Sequence, residues 1–425
     1  LSLASLAAML VEPHWVLPHK NDTEALMPLS GLIIGSSYVW IAVAFLVVAL
    51  RRSSRLSLRW TSATIIVATV LVFAYTFSET LRIRHFLVFE ALRSTSLDGV
   101  FTHPLNATPL VIFLGRPLAS LRLDFASTML VMANMVALYV VVVALLRHLR
   151  LPIDGPLPLA ATAVAVISHP VRDTLMGGHW TLMFLALIVA DVFLPTVRWP
   201  RGLLSGIAVA LGGGWPLLSA VSAFSALKNY RAIGIVLGSC AASFGLGFVV
   251  ARETTLSYLH TLWHWPETIL AALTGSINNT AYAMVARALG GSSTLSWLIM
   301  VVVVLAVAHF AAQRAGDRYV AAAFGLCLPA LVLPYSTATV WVLLLPLVVL
   351  LARWNPIAAA FGAYLLWFEW FPGRLDYIYG GIWGEWWLPP FEVFASAPAL
   401  YLLVLMLLSL GGKIAQPSTG TLAKK

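Results

Sequence analysis

Long apolar runs alternate with short polar segments along almost the whole of this 425-residue chain, from about Gly31 to Gly412. A helix crossing the roughly 30 Å hydrocarbon core of a bilayer takes about 20 apolar residues, and the runs approach that length. Stretches such as Leu298–Ala308 are apolar at every position. The two-residue alternation of a membrane β-barrel is therefore absent, and the spans read as helices. They are expected at 31–50, 60–77, 127–146, 157–169, 181–195, 202–222, 232–251, 295–313, 319–333, 338–352, 355–371 and 396–412. The pattern predicts an all-α fold, a polytopic transmembrane bundle of about twelve spans. One transmembrane domain is expected over 31–412, with a segment 1–30 before it and a cytoplasmic tail 413–425 after it. Residues 1–11 are apolar, too short to span and without a basic residue ahead of them; they read as an overextended start, with Met27 an equal candidate for the first residue.

Composition agrees with lipid as the solvent: 60% of residues are hydrophobic and 10% charged, far from a soluble domain. The net charge of +9 does not point to nucleic acid, because the basic residues lie in short clusters between apolar runs and not along one face. By the positive-inside rule, Arg51–Arg59, Arg147–Arg150, Arg198–Arg201, Lys228–Arg231, Arg314–Arg318 and Lys413–Lys425 should face the cytoplasm. Acids play no part in that rule, yet only Asp154, Asp191 and Asp317 of the 17 then fall on the inner side. Both ends of 202–222 lie beside inner clusters, so this segment should enter the membrane and return, breaking within Gly212-Gly213-Gly214-Trp215-Pro216. Cys240 and Cys327 sit inside apolar helices and read as buried thiols.

Four segments remain outside: Ser78–Ala126, His169–Trp180, Arg252–Thr294 and Glu369–Ser396. The first opens with Glu79, followed by Arg82, Arg84 and His85, where a carboxylate to accept a proton and cations to balance a phosphate arrive together. Glu90 and Asp98 are competitors for the carboxylate role. The second holds His169, Arg172, Asp173 and His179; a metal site on the two histidines is not expected, because ten residues separate them and no acidic partner motif accompanies them. The third mixes Tyr258, His260 and His264 with Trp263 and Trp265, and interfacial anchoring accounts for the tryptophans. The fourth sets Trp370, Trp383 and Trp386 beside Asp376 and Tyr377, the aromatic and acidic surface that sugar rings prefer. Walker A, GxGxxG, GxSxG and HExxH motifs are missing, which removes support for ATP-driven transport and metalloprotease chemistry.

From about Phe77 to Gly290 the order of segments resembles glycosyltransferase family 87, the polyprenyl-phosphate-sugar-dependent transferases of the GT-C class. Glu79 opens the first outer loop, and Thr102-His103-Pro104-Leu105-Asn106-Ala107-Thr108-Pro109-Leu110 follows. Pro170-Val171-Arg172-Asp173-Thr174-Leu175 with Gly178-His179 is the strongest single match. Arg201-Gly202 leading to Trp215-Pro216, and Asn278-Asn279 with Ala286-Arg287, complete the order. The family has an aspartate at the Glu79 position, Tyr-Pro-Pro where His103-Pro104 stands, and a lysine near Gly213-Gly214.

The resemblance implies a GT-C-like bundle with helical outer loops and an inverting transfer of a sugar, mannose first, from a polyprenyl-phosphate donor to a glycolipid or lipoglycan on the outer face. It implies Glu79 as general base, and Arg84, His85, Arg172, His179 and His264 as groups for the donor phosphate. Trp370, Asp376, Tyr377, Trp383 and Trp386 would hold sugar or acceptor, with the bilayer, donor and acceptor as partners and no nucleic acid. No cofactor or metal is expected, since the phosphate leaving group carries its own charge. The departures at Glu79 and His103 favour a second reading, an inactive relative acting as a binding or assembly subunit; a transporter of lipid-linked sugars is a third. A cysteine placed at Trp383 should react with an impermeant thiol reagent from the outside of intact cells; labelling only after the inner face is opened would overturn the orientation.

Overall fold

A computed structural model describes residues 108–110, 123–166, 168–176, 178–194, 199–260, 280–289, 294–333, 338–367 and 397–411. All regular elements among the described residues are helical: α1 (Leu123–His148), α2 (Leu157–Val166), α3 (His169–Met176), α4 (Thr181–Phe193), α5 (Leu203–Gly212), α6 (Gly214–Ala226), α7 (Tyr230–Val250), α8 (Ala281–Leu289), α9 (Thr294–Arg314), α10 (Arg318–Val332), α11 (Leu344–Trp354), α12 (Pro356–Trp367) and α13 (Ala397–Leu410). A helical stretch at 252–260 follows α7, and a 3₁₀ segment, Ala338–Leu343, leads into α11. The expected spans 31–50 and 60–77 lie outside the described residues.

Each expected span from 127 onward is met by helix, but their lengths differ. Among the described residues, α1, α7 and α9 are long and apolar enough to cross a membrane. The others run from 8 to 15 residues; a 13-residue helix reaches about 20 Å, short of the bilayer core. Proline and glycine make the cuts. The expected span 157–169 ends as α2 at Val166, because Pro170 has no N–H with which to continue the helical ladder. The expected break in 202–222 falls at Gly213, whose φ of 71° and ψ of −125° leave the helical region.

Cross-contacts fix the direction of each helix. α4 runs antiparallel to α1: the Asn134 amide donates to the His179 carbonyl before α4 begins (3.0 Å), and His148 meets Phe193 at the other end (5.3 Å between rings). α5 turns back along α4, with Asp191 beside Gly202 and Phe184 beside Gly212. α7 runs parallel to α5, pairing Gly202 with Ala232, Gly206 with Ser239 and Ala210 with Ser243. Only Leu227–Asn229 separate α6 from α7, so α6 returns to the level where α5 began. The segment 202–226 is thus a hairpin with both ends at one end of the bundle, as its flanking basic clusters predict. Tyr319 packs on His148 and Phe193 at this same end (4.1 and 5.8 Å), which also carries Arg147, Arg150, Arg201, Lys228, Arg231 and Arg318. It is called the basic end below.

α10 is the axis of the core, buried at every position from Val320 to Val332. Small residues set its approach to α6, since a Cβ on Gly325 would lie 2.7 Å from the Ser222 carbonyl carbon. The Ser219 hydroxyl donates to the Leu326 carbonyl across the same seam (2.8 Å). Packing of this kind holds helices together where lipid offers no hydrophobic driving force between them. Cys240 and Cys327 are free thiols, with Cys327 Sγ donating to the Leu343 carbonyl (3.1 Å).

Asp191 stabilises the foot of the hairpin. The residue preceding α5, Gly202, has no side chain to cap the helix, and a Cβ there would meet the Ala232 carbonyl oxygen at 2.7 Å. The buried Asp191 carboxylate supplies the cap from α4, accepting from Gly202 N (3.0 and 3.1 Å) and Ser205 N (2.9 Å). A negative charge at a helix N-terminus is also favoured by the helix dipole. Asp191→Ala should cost about 2–4 kcal/mol, because two buried N–H groups lose their acceptor, and Asp191→Asn about half as much. Thermal unfolding of purified protein in detergent checks this; equal midpoints for wild type and Asp191→Ala would remove the cap from the account.

Candidate functional site

Of the site residues expected from sequence, Arg172 and His179 fall among the described residues, as do their companions His169, Asp173, Tyr258 and His260; Glu79, Arg84, His85, Glu90, Asp98, His264, Trp370, Asp376, Tyr377, Trp383 and Trp386 lie outside them. Arg172 and His179 share one compact segment. Val171, Thr174 and Leu175 turn one side of α3 into the core, which leaves His169, Arg172 and Asp173 half-buried on the other. Asp173 reaches back one turn to His169 (Nε2 to Oδ2, 3.4 Å), the spacing at which helical side chains meet. The segment closes on Gly178 at φ 66°, with Gly178 N donating to the Leu175 carbonyl (3.4 Å) and His179 N to the Thr174 carbonyl (3.0 Å). Asn134 then fixes the His179 carbonyl from α1.

Among the polar atoms around this segment that are buried without a hydrogen-bond partner are Asn134 Oδ1, Trp180 Nε1 and Trp341 Nε1. Asn134 bonds the segment, Trp180 belongs to it, and Trp341 lies in the 3₁₀ segment packed against α3. One acceptor and two donors left unsatisfied each carry a desolvation penalty of about 1–3 kcal/mol, and buried groups of this kind are uncommon in native folds. Sequence reading missed Asn134 and Trp341. The signal for Asn134 was present, as a lone amide inside the apolar run of α1; for Trp341 there was none.

The tip of the α5–α6 hairpin is the second half of the region. A helix that stops inside an apolar bundle exposes its last carbonyls, and here other elements take them. Thr108 N donates to the Leu211 carbonyl (3.1 Å), the Thr108 hydroxyl lies 2.8 Å from the Ala210 carbonyl and 3.1 Å from that of Leu211, and the Ser243 hydroxyl donates to Ala210 (2.6 Å). A Cβ on Gly213 would come within 3.2 Å of Thr108 Cγ2 and 3.3 Å of the Tyr258 hydroxyl. Tyr258 arrives because 252–260 folds back along α7, setting Thr255 against Gly247 and Tyr258 against Phe244 (5.8 Å between rings). Two segments singled out separately in the sequence, Thr102–Leu110 and Tyr258–Glu267, therefore each send a residue to the predicted break.

Aromatic contacts join the two halves: Trp180 to Phe184 at 6.4 Å and Phe184 to Trp215 at 6.1 Å between ring centroids. Fourteen residues of α1 separate Asn134 from His148, so the region lies about 21 Å from the basic end. It combines a half-buried arginine and histidine, neutral donors and an acceptor, and broken backbone. Those are the means to bind an anionic and hydroxylated molecule.

The model of glycosyltransferase family 87 matches residues 101–334. The match begins after Glu79, Arg84, His85, Glu90 and Asp98 and takes in Arg172, His179, His264 and both halves of the region above. Two curated relatives carry the name polyprenol-phosphate-mannose-dependent alpha-(1-2)-phosphatidylinositol mannoside mannosyltransferase. The one from Mycobacterium tuberculosis is 29% identical over 279 residues and the one from Mycolicibacterium smegmatis 29% over 293. In both, the similarity covers 60% of this chain and 62% of the relative, so the chain spans about three-fifths of the length of the proteins it matches. No solved structure matches the chain.

Thr108→Val keeps the shape of the side chain and removes its hydroxyl from two carbonyls. It should lower stability by about 1–2 kcal/mol, while Thr108→Ser should stay near wild type. Thermal midpoints of the two variants test the anchor, and a valine variant as stable as the serine one would sink it.

Proposed function

The chain belongs to glycosyltransferase family 87, and from that membership we propose that it is a polyprenyl-phosphate-sugar-dependent glycosyltransferase, an inverting enzyme of GT-C type that transfers mannose on the outer face of the membrane. The observation that carries this reading is the coincidence of the family match with the region built from α3, His179 and the hairpin tip. The relatives are named for a polyprenol-phosphate-mannose donor and a phosphatidylinositol mannoside acceptor. The same chemical classes, a lipid-linked mannose and a mannosylated lipid, are the first candidates for this chain.

The basic end is assigned to the cytoplasm. The chain then crosses the membrane many times, and the region of Asn134 and Gly213 opens toward the outer leaflet. In the reaction, an acceptor hydroxyl attacks the anomeric carbon, the bond from that carbon to the phosphate oxygen breaks, and the configuration inverts. Glu79 takes the hydroxyl proton, and polyprenyl phosphate leaves with the electron pair. Arg172 and His179, with Arg84, His85 and His264, bind the phosphate and balance the charge it gains on departure. Asn134 Oδ1 and the two indole N–H groups suit a ligand rich in hydroxyls. Trp370, Asp376, Tyr377, Trp383 and Trp386 cover the sugar or acceptor. The phosphate brings its own charge, and no metal or cofactor enters the scheme.

The test uses purified protein in lipid with radiolabelled polyprenyl-phosphate mannose and a membrane glycolipid extract. Glu79→Gln should reduce transfer at least about 100-fold, the low end for loss of a general base, and Arg172→Gln should lower kcat/KM about 10- to 100-fold through loss of a charge-assisted contact. Transfer that survives Glu79→Gln would move the base to Glu90 or Asp98. Absence of transfer by the wild-type protein with any donor would favour the assembly-subunit reading, to which the glutamate at position 79 already points.

A further inference from the structure

The basic end holds a cluster that the transfer reaction does not use. His148, in the last turn of α1, packs against Phe193 and Tyr319, and the charged groups acting on its ring are Asp317 and Arg353. The ends of α1, α4, α10 and α11 therefore meet around one imidazole, and Arg147, Arg150, Arg318 and Arg353, all exposed, are gathered from three of them. The acids at this end are engaged or apart, and Asp191 is taken up in capping α5. The Asp317 carboxylate caps α10, accepting from Tyr319 N (2.7 Å) and Val320 N (3.3 Å), and Asp154 stands exposed on the following loop. Neither makes a salt bridge with the four arginines, whereas the neighbouring Arg314 is spent on the Leu410 carbonyl (2.9 Å). Arg353 lies over the Trp354 ring (5.5 Å to the centroid), a stack that leaves the edge of its guanidinium for an anion.

Backbone strain marks the same place. α1 ends in a cap in which Arg150 N donates to the Arg147 carbonyl (3.0 Å) and Leu151 N to the Leu146 carbonyl (2.9 Å), with Arg150 at φ 58°. That left-handed position is ordinarily glycine, as it is at Gly178 in the cap after α3. Among the described residues, the non-glycine positions with positive φ are Arg150 and Lys228, both cations at the basic end. The positive-inside rule asks for basic residues in these loops; it does not ask for one at a position where its backbone is strained, nor for convergence from separate helices.

We infer that Arg147, Arg150, Arg318 and Arg353 form a binding site for the phosphodiester headgroup of an anionic phospholipid. The location in the inner leaflet rests on the cytoplasmic assignment of the basic end; the site itself does not depend on the transfer reaction. Guanidinium groups pair with two phosphate oxygens at once, and with this end on the cytoplasmic side the indole of Trp354 would lie where lipid headgroups begin.

The experiment reconstitutes the full chain in nanodiscs of equal phosphatidylglycerol and phosphatidylcholine, and native mass spectrometry reads the lipids retained. Wild type should retain phosphatidylglycerol preferentially. In the double variant Arg150→Gly with Arg353→Gln the preference should fall about tenfold or more, as expected for losing two surface cations. Glycine relieves the strain at position 150, so the thermal midpoint in phosphatidylcholine alone should hold or rise. That separates loss of ligand from loss of fold. Arg231→Gln, on α7 and outside the four arginines, should leave the preference unchanged. Equal retention of both lipids by wild type, or an unchanged preference in the double variant, would overturn the site. Inorganic phosphate raising the midpoint as much as phosphatidylglycerol does would overturn its assignment to a lipid. Neither result bears on mannose transfer, which is measured separately.

Discussion

A helix that ends inside an apolar bundle must pass its last carbonyls to another donor, because lipid provides none. The α5–α6 hairpin is built on that requirement. Its tip at Gly213 is tolerable because Thr108 and Ser243 bind the carbonyls of Ala210 and Leu211, and those two donors draw in the neighbouring segments. Thr108 brings the segment ahead of α1 to the tip. Ser243 holds α7 in register, and the fold-back after α7 carries Tyr258 to the same point. The candidate site is thus a consequence of satisfying one broken helix.

The foot of the hairpin obeys the same rule with the opposite sign. The N–H groups at the start of α5 need an acceptor, and Asp191 supplies it as a charge from α4. The two ends are therefore held differently: a carboxylate with few degrees of freedom at the foot, and neutral hydroxyls at the tip. Neutral donors suit the tip, since a fixed negative charge beside it would repel a phosphate, while the foot lies at the basic end where a carboxylate is tolerated.

Much of this was legible from local chemistry. Glycine and proline act on their own backbone, so the break in Gly212–Pro216 could be read directly, and the basic clusters on either side predicted that the hairpin returns. The division of 157–169 at Pro170 follows from the same chemistry but was hidden by continuous apolarity through Ser168. What could not be read is tertiary. Asn134 is the lone amide of α1, and nothing in sequence ties it to a carbonyl 45 residues away. Nor does periodicity tell which way the chain turns after a span, so the fold-back of 252–260 along α7 was not legible. Of the site residues chosen by motif, Arg172 and His179 fall among the described residues and the others lie outside them.

Depth narrows the class of donor. In the proposed orientation, with Asn134 about 21 Å from the basic end, the region would lie past the middle of a core roughly 30 Å thick, closer to the face opposite the basic clusters. A nucleotide sugar made in the cytoplasm would have to cross most of that thickness as a multiply charged molecule. A sugar carried on a polyprenyl phosphate, the proposed donor, would have no such barrier, because its carrier would dissolve in the same solvent as α1, α7 and α9 and could deliver the headgroup sideways from the outer leaflet. The polar groups at this depth match that headgroup in kind. A half-buried arginine and histidine meet a phosphate, and the neutral acceptor of Asn134 with the indole donors of Trp180 and Trp341 meet hydroxyls. Groups that cost about 1–3 kcal/mol each when unsatisfied are retained most readily where binding a ligand satisfies them together.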